Sequence, residues 1–397
     1  MTEPSAVPPP HLPSAAHLTA FGLAALRGRM LIQTRPERVG QVQEHLASAS
    51  SGLILSGGNA TAKALHLRDE GYSGVLLADP ALYEKTAATE DAPFPQTEPD
   101  GFFLNDPLER SLEQQRAVGV TAPLTPTGYI QAEDSDALRA AVTRMTELDD
   151  PGVTFVVPID VTWLRNEESL DQLIAYLQLV NGPKAIILGG QMDPLARYAK
   201  SVHHLRQLIT QVPDTALLRT DLAAFGALAA GAAFTAFGAT SSLRHTIVPG
   251  EKAQTGKKSG GPGSPHVLHP ELMDFYLGET LAKKYAAAAE PICECYACGH
   301  KALDTFTSNQ SPLPAEAAAH NIAVLMGWLR DLCATPSGIA RQRWWYDRCR
   351  IAVDRYPLLN AALEQPKAFR APEQLKCWAL ADPGPVPAEP SPAQRTR

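Results

Sequence analysis

The chain has 397 residues, of which 45% are apolar, so it is long enough for one large domain or two ordinary ones with a sizeable core. Its formal net charge is −7, which excludes a uniformly basic nucleic-acid binder, so any such contact needs a local patch. Six cysteines are too few for a disulfide framework, and no apolar run is long enough to span a bilayer. The absence of a secretory pattern favours a cytoplasmic protein without membrane contact.

Residues 1–20 are rich in proline and alanine, which predicts a disordered arm. From Met30 onward, short apolar runs alternate with helical stretches. The candidate strands are residues 30–33, 53–56, 75–78, 118–124, 153–159, 185–188, 216–219 and 233–237. The helical stretches between them are 36–48, 60–70, 107–116, 135–148, 167–180, 193–211 and 221–230.

Continuous apolar strands separated by helices predict a parallel sheet that is buried on both faces. Eight such units favour a (β/α)₈ TIM barrel over residues 21–248, and an open doubly wound sheet is the alternative with the same alternation. The next residues, 249–267, are glycine-rich and carry several lysines. They predict a flexible basic loop, either an arm that closes on phosphates or a plain linker.

A thiol cluster follows the last candidate strand. Cys293, Cys295 and Cys298 form a C-x-C-x-x-C pattern, and Zn²⁺ prefers four such ligands from Cys and His. His320 opens an apolar helical run and is the expected fourth ligand. His300 is the rival, but it lies so close to Cys298 that the chelate would be strained. The pattern predicts a structural zinc in a subdomain over residues 268–335.

The C-terminal part predicts helices over 315–334 and 338–364, within a helical segment at 336–370. Arg341, Arg343 and Arg348 alternate with aromatic residues, which suits phosphate contact with base stacking. The alternative is an amphipathic helix with Trp344 and Trp345 in the core. Residues 371–397 are rich in proline and are expected to be a disordered tail.

Polar residues at strand ends are the catalytic candidates, since barrel active sites lie there. Asp79, Asp160 and Asp221 each follow a strand, and paired carboxylates suit acid–base or nucleophilic work at a glycosidic carbon. The alternative for each aspartate is a helix N-cap. Asp160 is the least cap-like by sequence and is therefore ranked first.

The thiol pattern, the gap of some twenty residues and the pair His320-Asn321 at a helix start resemble the zinc subdomain of the tRNA-guanine transglycosylases. The resemblance covers roughly residues 270–335. It implies a barrel with an appended zinc subdomain that exchanges guanine for a 7-deazaguanine base through a covalent ribosyl–aspartate. Asp79 lies where the family's general base belongs, and Gln191 resembles a glutamine that reads the base.

The sequence departs from the family at the nucleophile, where Ala236-Phe237-Gly238 stands in place of an aspartate. One hypothesis is an exchange enzyme on tRNA or DNA, a divergent paralogue. Its nucleophile would be Asp160, its base Asp79, and its substrate-binding residues Gln191, Arg219 and Asp221. The second hypothesis is a non-catalytic zinc barrel that binds nucleic acid or a catalytic partner. An unrelated barrel enzyme with a structural zinc is the third. The sequence leaves a homo- or heterodimer open.

Overall fold

The structure is a computed structural model, which describes residues 22–95, 106–191, 193–252 and 263–385. The predicted arm at 1–20, most of the basic loop and residues 386–397 lie outside the described residues.

Seven parallel strands form one sheet that curls into a half-barrel, in the order β3-β2-β1-β7-β6-β5-β4. The strands are β1 (Arg29–Thr34), β2 (Leu53–Ser56), β3 (Leu76–Asp79), β4 (Phe155–Asp160), β5 (Lys184–Gly189), β6 (Thr215–Thr220) and β7 (Phe234–Gly238). Nearly every strand residue is buried, as the continuous apolar runs predict for a parallel sheet covered on both faces.

Helices connect the strands and cover the outer face of the sheet. They are α1 (Leu23–Leu26), α2 (Ala60–Asp69), α3 (Pro107–Ala117), α4 (Ser135–Leu148), α5 (Glu167–Gln178), α6 (Ser201–Gln211) and α7 (Ala223–Ala230). Asp106, Asp134 and Asn166 cap three of them by accepting a backbone N–H in the first turn. The helix expected at 36–48 is instead two 3-10 turns, Pro36–Gln41 and Gln43–His45.

The strand expected at 118–124 does not form a regular ladder. Its backbone nevertheless reaches both edges of the sheet: the N–H of Thr121 donates to Leu76 of β3 at 2.8 Å, and the N–H of Thr154 donates to Pro123 at 2.9 Å. A single bridge pairs Leu124 with Thr154. Pro123 has no N–H to donate, and Gly119 has a φ of 71°, so a continuous strand is not available to this segment.

Two apolar clusters pack against the sheet. Every strand contributes at least one residue to the inner cluster, and among these are Leu31, Ile54, Leu77, Val156, Ile187, Leu218 and Ala236. Ala122 and Leu124 of the irregular segment belong to the same cluster. The concave face is therefore filled with side chains contributed from every strand.

The C-terminal part begins with a hairpin of β8 (His266–His269) and β9 (Asp274–Leu277), followed by α8 (Gly278–Tyr285). The two long helices expected from the sequence are present as α9 (Leu313–Ala334) and α10 (Ile339–Ala362). The boundary expected at 267 is wrong by two residues, because β8 already begins at His266.

The disordered tail expected at 371–397 is wrong over Glu373–Leu380, which form a helix, α11. Its physical basis is the burial of Trp378, whose ring lies edge-on to Trp345 at 6.2 Å. The prolines on both sides of these eight residues made the whole segment look disordered by composition, although the eight residues themselves form a helix.

The outer apolar cluster joins the C-terminal helices to the sheet. Phe225 of α7 stacks on Trp345 of α10 at 5.5 Å and meets Trp328 of α9 edge-on at 5.8 Å. Residues of the sheet, α7, α9, α10 and α11 all belong to this cluster. Among the described residues, no helix has both the length and the apolar character that crossing a membrane requires.

Candidate functional site

A tight turn brings the three predicted cysteine ligands together. Cys293 donates its N–H to Lys301 across a short antiparallel bridge, and Cys298 donates to the carbonyl of Cys295 at 3.1 Å. Gly299 and His300 follow with φ of 54° and 68°, which reverses the chain. Glycine adopts a left-handed backbone at little cost, so Gly299 limits the strain of this reversal to His300.

The fourth ligand comes from α9. Nδ1 of His320 lies 3.5 Å from Sγ of Cys293, 3.5 Å from Sγ of Cys295 and 3.1 Å from Sγ of Cys298. All four ligand atoms lie within 4.8 Å of one another. A tetrahedral Zn²⁺ with ordinary Zn–S and Zn–N lengths places N and S about 3.6 Å apart. The four residues therefore fit a metal ion, as predicted, and His300 is exposed outside the cluster.

A second set of contacts holds the imidazole in place. Nε2 of His320 lies 2.8 Å from the carbonyl of Leu268 in β8, so the ring hydrogen belongs on Nε2 and the Nδ1 lone pair is free for a metal. The neighbouring Asn321 accepts from the N–H of Leu268 at 2.7 Å and donates to the carbonyl of His266 at 2.9 Å. The His-Asn pair thus joins α9 to the hairpin.

Asp79 lies at the C-terminal end of β3 and is 1% exposed. Its Oδ2 accepts hydrogen bonds from Gln33 at 2.9 Å, Ser56 at 3.0 Å and Tyr83 at 2.5 Å, and its Oδ1 accepts from the N–H of Ala81 at 2.8 Å. Both oxygens therefore have protein donors.

Arg219 covers this carboxylate from the other side. It lies at the end of β6 with a φ of 49°, and its side chain donates to Tyr83, Glu84 and the carbonyls of His245 and Ser242. At 5% exposure it is buried among these contacts at the C-terminal end of β6. We call Asp79, Tyr83, Glu84 and Arg219 the Asp79 network.

Burial and charge act together on the network. Burial raises the pKa of Asp79, and burial together with the nearby Asp79 raises the pKa of Tyr83. Burial alone would raise the pKa of Glu84, but ion pairs with Arg219 and Arg35 hold it below its usual value. Glu84 is therefore the ionised partner of Arg219.

The other predicted catalytic and binding residues do not join this network. Asp160 caps the turn after β4 by accepting from Thr162 at 2.9 Å, and its other oxygen accepts from Tyr129 at 2.9 Å. This corrects the expectation that Asp160 is the least cap-like aspartate. Gln191 donates to Glu251 at 3.0 Å on the surface.

Asp221 lies at the start of α7 and accepts from Ala223 at 2.9 Å and from Gln374 of α11 at 2.5 Å and 2.7 Å. Ala236, at the position where the family resemblance expects an aspartate, is fully buried in the inner cluster. The structure thus brings together the four metal ligands, and it links Asp79 to Arg219 through Tyr83. It brings no two of the three predicted aspartates into contact.

The arginines of α10 make contacts within the chain. Arg341 donates to the carbonyls of Thr335 and Cys333 at the end of α9, and Arg343 donates to Asp382 at 2.7 Å. The guanidinium of Arg348 lies 4.4 Å from the centre of the Trp328 ring. These contacts agree with the amphipathic-helix alternative.

Comparison with known proteins finds no family model and no curated sequence that matches this chain.

Three polar residues near the strand ends were not predicted from the sequence, and they are Tyr83, Glu84 and Arg244. Tyr83 and Glu84 lie in a 3-10 turn after β3, and Arg244 lies after the 3-10 turn that follows β7. A single signal was available: all three lie within seven residues of a strand end, the region where polar side chains face the mouth of the sheet.

Proposed function

We propose that this chain is a zinc-containing barrel protein, related to the tRNA-guanine transglycosylases, that binds nucleic acid without exchanging a base itself. The nucleic-acid part rests on the resemblance of the C-x-C-x-x-C and His-Asn motif. The non-catalytic part rests on the Asp79 network.

Zinc is the metal that best suits this donor set. Three thiolates and one imidazole in a tetrahedral arrangement favour Zn²⁺ over the oxygen-preferring Mg²⁺ and Ca²⁺. Four protein ligands leave no open position for substrate, so the role of the metal is structural. Its place beside the hairpin supports a role in holding α9 against β8.

A closed barrel is the architecture that we propose for the sheet. The irregular segment around residues 121–125 bonds to the edge strand β3, to Thr154 just before the other edge strand β4, and through the Thr125 hydroxyl to Val156 of β4. It also contributes to the inner cluster. It takes the place of the eighth strand of a (β/α)₈ barrel.

The observation that carries the proposal is the state of Asp79. Base exchange through a covalent ribosyl intermediate needs a carboxylate about 3–3.5 Å from the sugar carbon. Asp79 is 1% exposed with both oxygens bonded, and Ala236 offers no carboxylate. Arg219, at the end of β6, is committed to Tyr83 and to the carbonyl of Ser242, which leaves it unavailable to a substrate.

The test has two measurements on the full chain. Incorporation of labelled guanine into tRNA and into DNA is expected to stay at the level of a no-protein control. Binding of the same nucleic acids, followed by fluorescence anisotropy, is expected and should weaken as salt increases, because phosphate contacts release counterions. Exchange above the control overturns the non-catalytic part, and absence of binding overturns the nucleic-acid part.

The second candidate function is exchange with Asp160 as the nucleophile. The observation in its favour is that Asp160 keeps partial exposure at the end of β4, unlike Asp79. If wild type exchanges guanine, Asp160→Asn should abolish the activity while keeping the stability, since asparagine also caps a helical turn. Full activity of Asp160→Asn would remove this assignment.

A further inference from the structure

A cavity of about 290 Å³ lies between the ends of β5 to β7, the β8–β9 hairpin and the helices α10 and α11, and none of the four residues of the Asp79 network lines it. Trp345, Trp378 and Phe275 form its apolar wall, and Arg244, Asp221 and Asp274 are among its polar residues. We call it the Arg244 cavity. Asp193 lies at its exposed rim.

Arg244 lies against aromatic rings, and Asp221 and Asp274 act on its charge from beyond ion-pair distance. Its guanidinium lies 3.6 Å from the centre of the Phe275 ring and 5.1 Å from that of Phe237. Nε donates to the carbonyl of Gly238 at 3.3 Å. Its terminal nitrogens have no hydrogen-bond or ion-pair partner in the described part of the chain. Arg244 also borders a second cavity of about 560 Å³ beside α9, so these free donors face open space.

The indole rings of Trp345 and Trp378 form part of the wall of the Arg244 cavity. Trp345 and Trp378 are 3% and 4% exposed, and Nε1 of each is buried without an acceptor among the residues that the structure describes. The N–H groups themselves have almost no accessible surface, so the two rings contribute to the cavity as an apolar wall rather than as donors. The indole rings meet edge-on at 6.2 Å, which fixes their orientation.

Asp274 and Asp221 bring hydrogen-bond acceptors to the same cavity. Oδ1 of Asp274 accepts from the N–H of Phe275 at 2.7 Å, and the hydroxyl of Tyr276 is a second donor to this carboxylate. Two donors leave acceptor sites on the carboxylate, because an ionised carboxylate offers about four. Burial raises its pKa to about 6 and also raises the pKa of Asp221. A buried carboxylate with spare acceptor capacity favours a ligand that brings N–H donors or a positive charge.

We propose that the Arg244 cavity binds a small amphoteric molecule, with an acceptor or anionic group on Arg244, an N–H donor group on Asp274, and a planar or apolar body against Trp345 and Trp378. The volume is at the lower end of ligand pockets, so it accommodates one ring system or one amino acid and excludes a nucleic-acid strand. A zwitterionic amino acid and a free purine base both carry this chemistry. The site is independent of the proposed nucleic-acid binding.

Isothermal titration of the full chain near neutral pH tests the proposal with L-tryptophan and hypoxanthine as the two sources. Indole-3-acetate and tryptamine each lack one polar end and serve as matched probes. At least one amphoteric probe is expected to bind with a dissociation constant below about 1 mM. If that probe is L-tryptophan, both one-ended probes should bind at least about tenfold more weakly.

The variants Arg244→Met and Asp274→Asn are each expected to weaken the binding at least about tenfold. Arg244→Lys keeps the charge but loses the forked donor geometry, so it should fall between wild type and Arg244→Met. Arg355→Met is the control, since Arg355 of α10 pairs with Glu271 on the surface. A thermal melt of each variant verifies folding, and Asp274→Asn carries the test if Arg244→Met fails to fold. Binding of neither amphoteric probe, or equal binding by the folded variants, overturns the proposal.

Discussion

At the residue scale, the charged groups of the Asp79 network are paired with one another. Arg219 and Glu84 form an ion pair in which the arginine side chain is only 5% exposed, and Tyr83 connects this pair to Asp79. A buried ion pair of this kind costs desolvation when it forms, but removing one partner leaves the other charge uncompensated unless it has a second partner.

Arg219→Met is expected to destabilise the chain by about 1.5–3 kcal/mol, because Tyr83 and the carbonyls of His245 and Ser242 lose a charged donor while Glu84 keeps Arg35 as its partner. The free energy of unfolding is measured by chemical denaturation. Arg27→Met is the matched control: Arg27 pairs with Asp214 on the surface with its side chain 57% exposed, and such pairs contribute about 0–1 kcal/mol. Equal losses in the two variants would contradict the structural role assigned to Arg219.

Asp274 gives a prediction with a defined pH window. Burial raises its pKa to about 6, above the value near 4 expected when unfolded. The folded state therefore holds the proton more tightly, and wild type loses stability as pH rises from about 4 to about 6. Asp274→Asn removes this loss, so it should be about 1–3 kcal/mol more stable than wild type near pH 8 and equal to it near pH 4.

Denaturation of both proteins across this pH range measures the effect. The exposed Asp136 provides the control variant, Asp136→Asn, which should follow the wild-type profile because its side chain is 60% exposed. A constant difference between Asp274→Asn and wild type at all pH values would show that the carboxyl group does not titrate in this window.

Sequence reasoning at this scale succeeded where ligand chemistry is local. The spacing of Cys293, Cys295 and Cys298 within one turn, with His320 at a helical position, is enough to predict convergence. It did not foresee that Asp160 caps a turn or that Arg219 is linked to Asp79 through Tyr83. Those contacts depend on residues brought together by the tertiary fold.

At the element scale, α7 is the contact surface between the sheet and the C-terminal helices. A Cβ added at Gly226 would lie 2.4 Å from the indole of Trp378 in α11, whereas Gly327 in the middle of α9 has nothing within 4 Å of the same position. Both glycines lie inside helices, but only Gly327 has room for a larger side chain.

Gly327→Ala should stabilise the chain by about 0.5–1 kcal/mol, because alanine loses less conformational freedom in a helix. Gly226→Ala gains the same helical preference but must displace Trp378, and overpacking a core typically costs about 1–3 kcal/mol. We therefore expect a net loss at Gly226 and a gain at Gly327, measured as unfolding free energies. A gain at both positions would mean that α11 does not pack on α7.

The elements that sequence predicted well are those with long periodic patterns. The helices α9 and α10 follow from apolar residues repeated over more than twenty positions. The helix α11 has only eight residues between proline-rich stretches, so its pattern was too short to detect. The segment at 118–124 has a strand-like composition, but Gly119 and Pro123 prevent the ladder.

At the scale of the whole molecule, one apolar cluster runs from the sheet through α7 into α9, α10 and α11. The metal ligands sit at one end of this cluster, with Cys293 itself among its buried members and Tyr296 donating to the carbonyl of His45 at 3.2 Å. The proposed zinc therefore holds a region whose far side packs directly on the sheet.

Loss of the proposed zinc should consequently affect the entire chain. Structural zinc contributes about 10–16 kcal/mol of apparent binding energy, comparable with the whole stability of about 5–15 kcal/mol for an ordinary domain. Cys295→Ser removes one ligand of the four. We expect it to lower the bound zinc from one per chain to nearly none, to open residues 290–335 to proteases, and to lower the melting temperature, because α9 no longer anchors the shared core.

Elemental analysis, limited proteolysis and thermal melts measure the three effects side by side. Cys333→Ser is the control, since Cys333 lies on the same helix α9 but outside the ligand cluster, and it should keep both zinc and melting temperature. Purified wild type without zinc would refute the metal assignment. Zinc loss in Cys295→Ser with an unchanged melting temperature would instead show that the centre stabilises only its own turn, because a change transmitted through α9 must reach Trp328 and its contact with Phe225 on the sheet side.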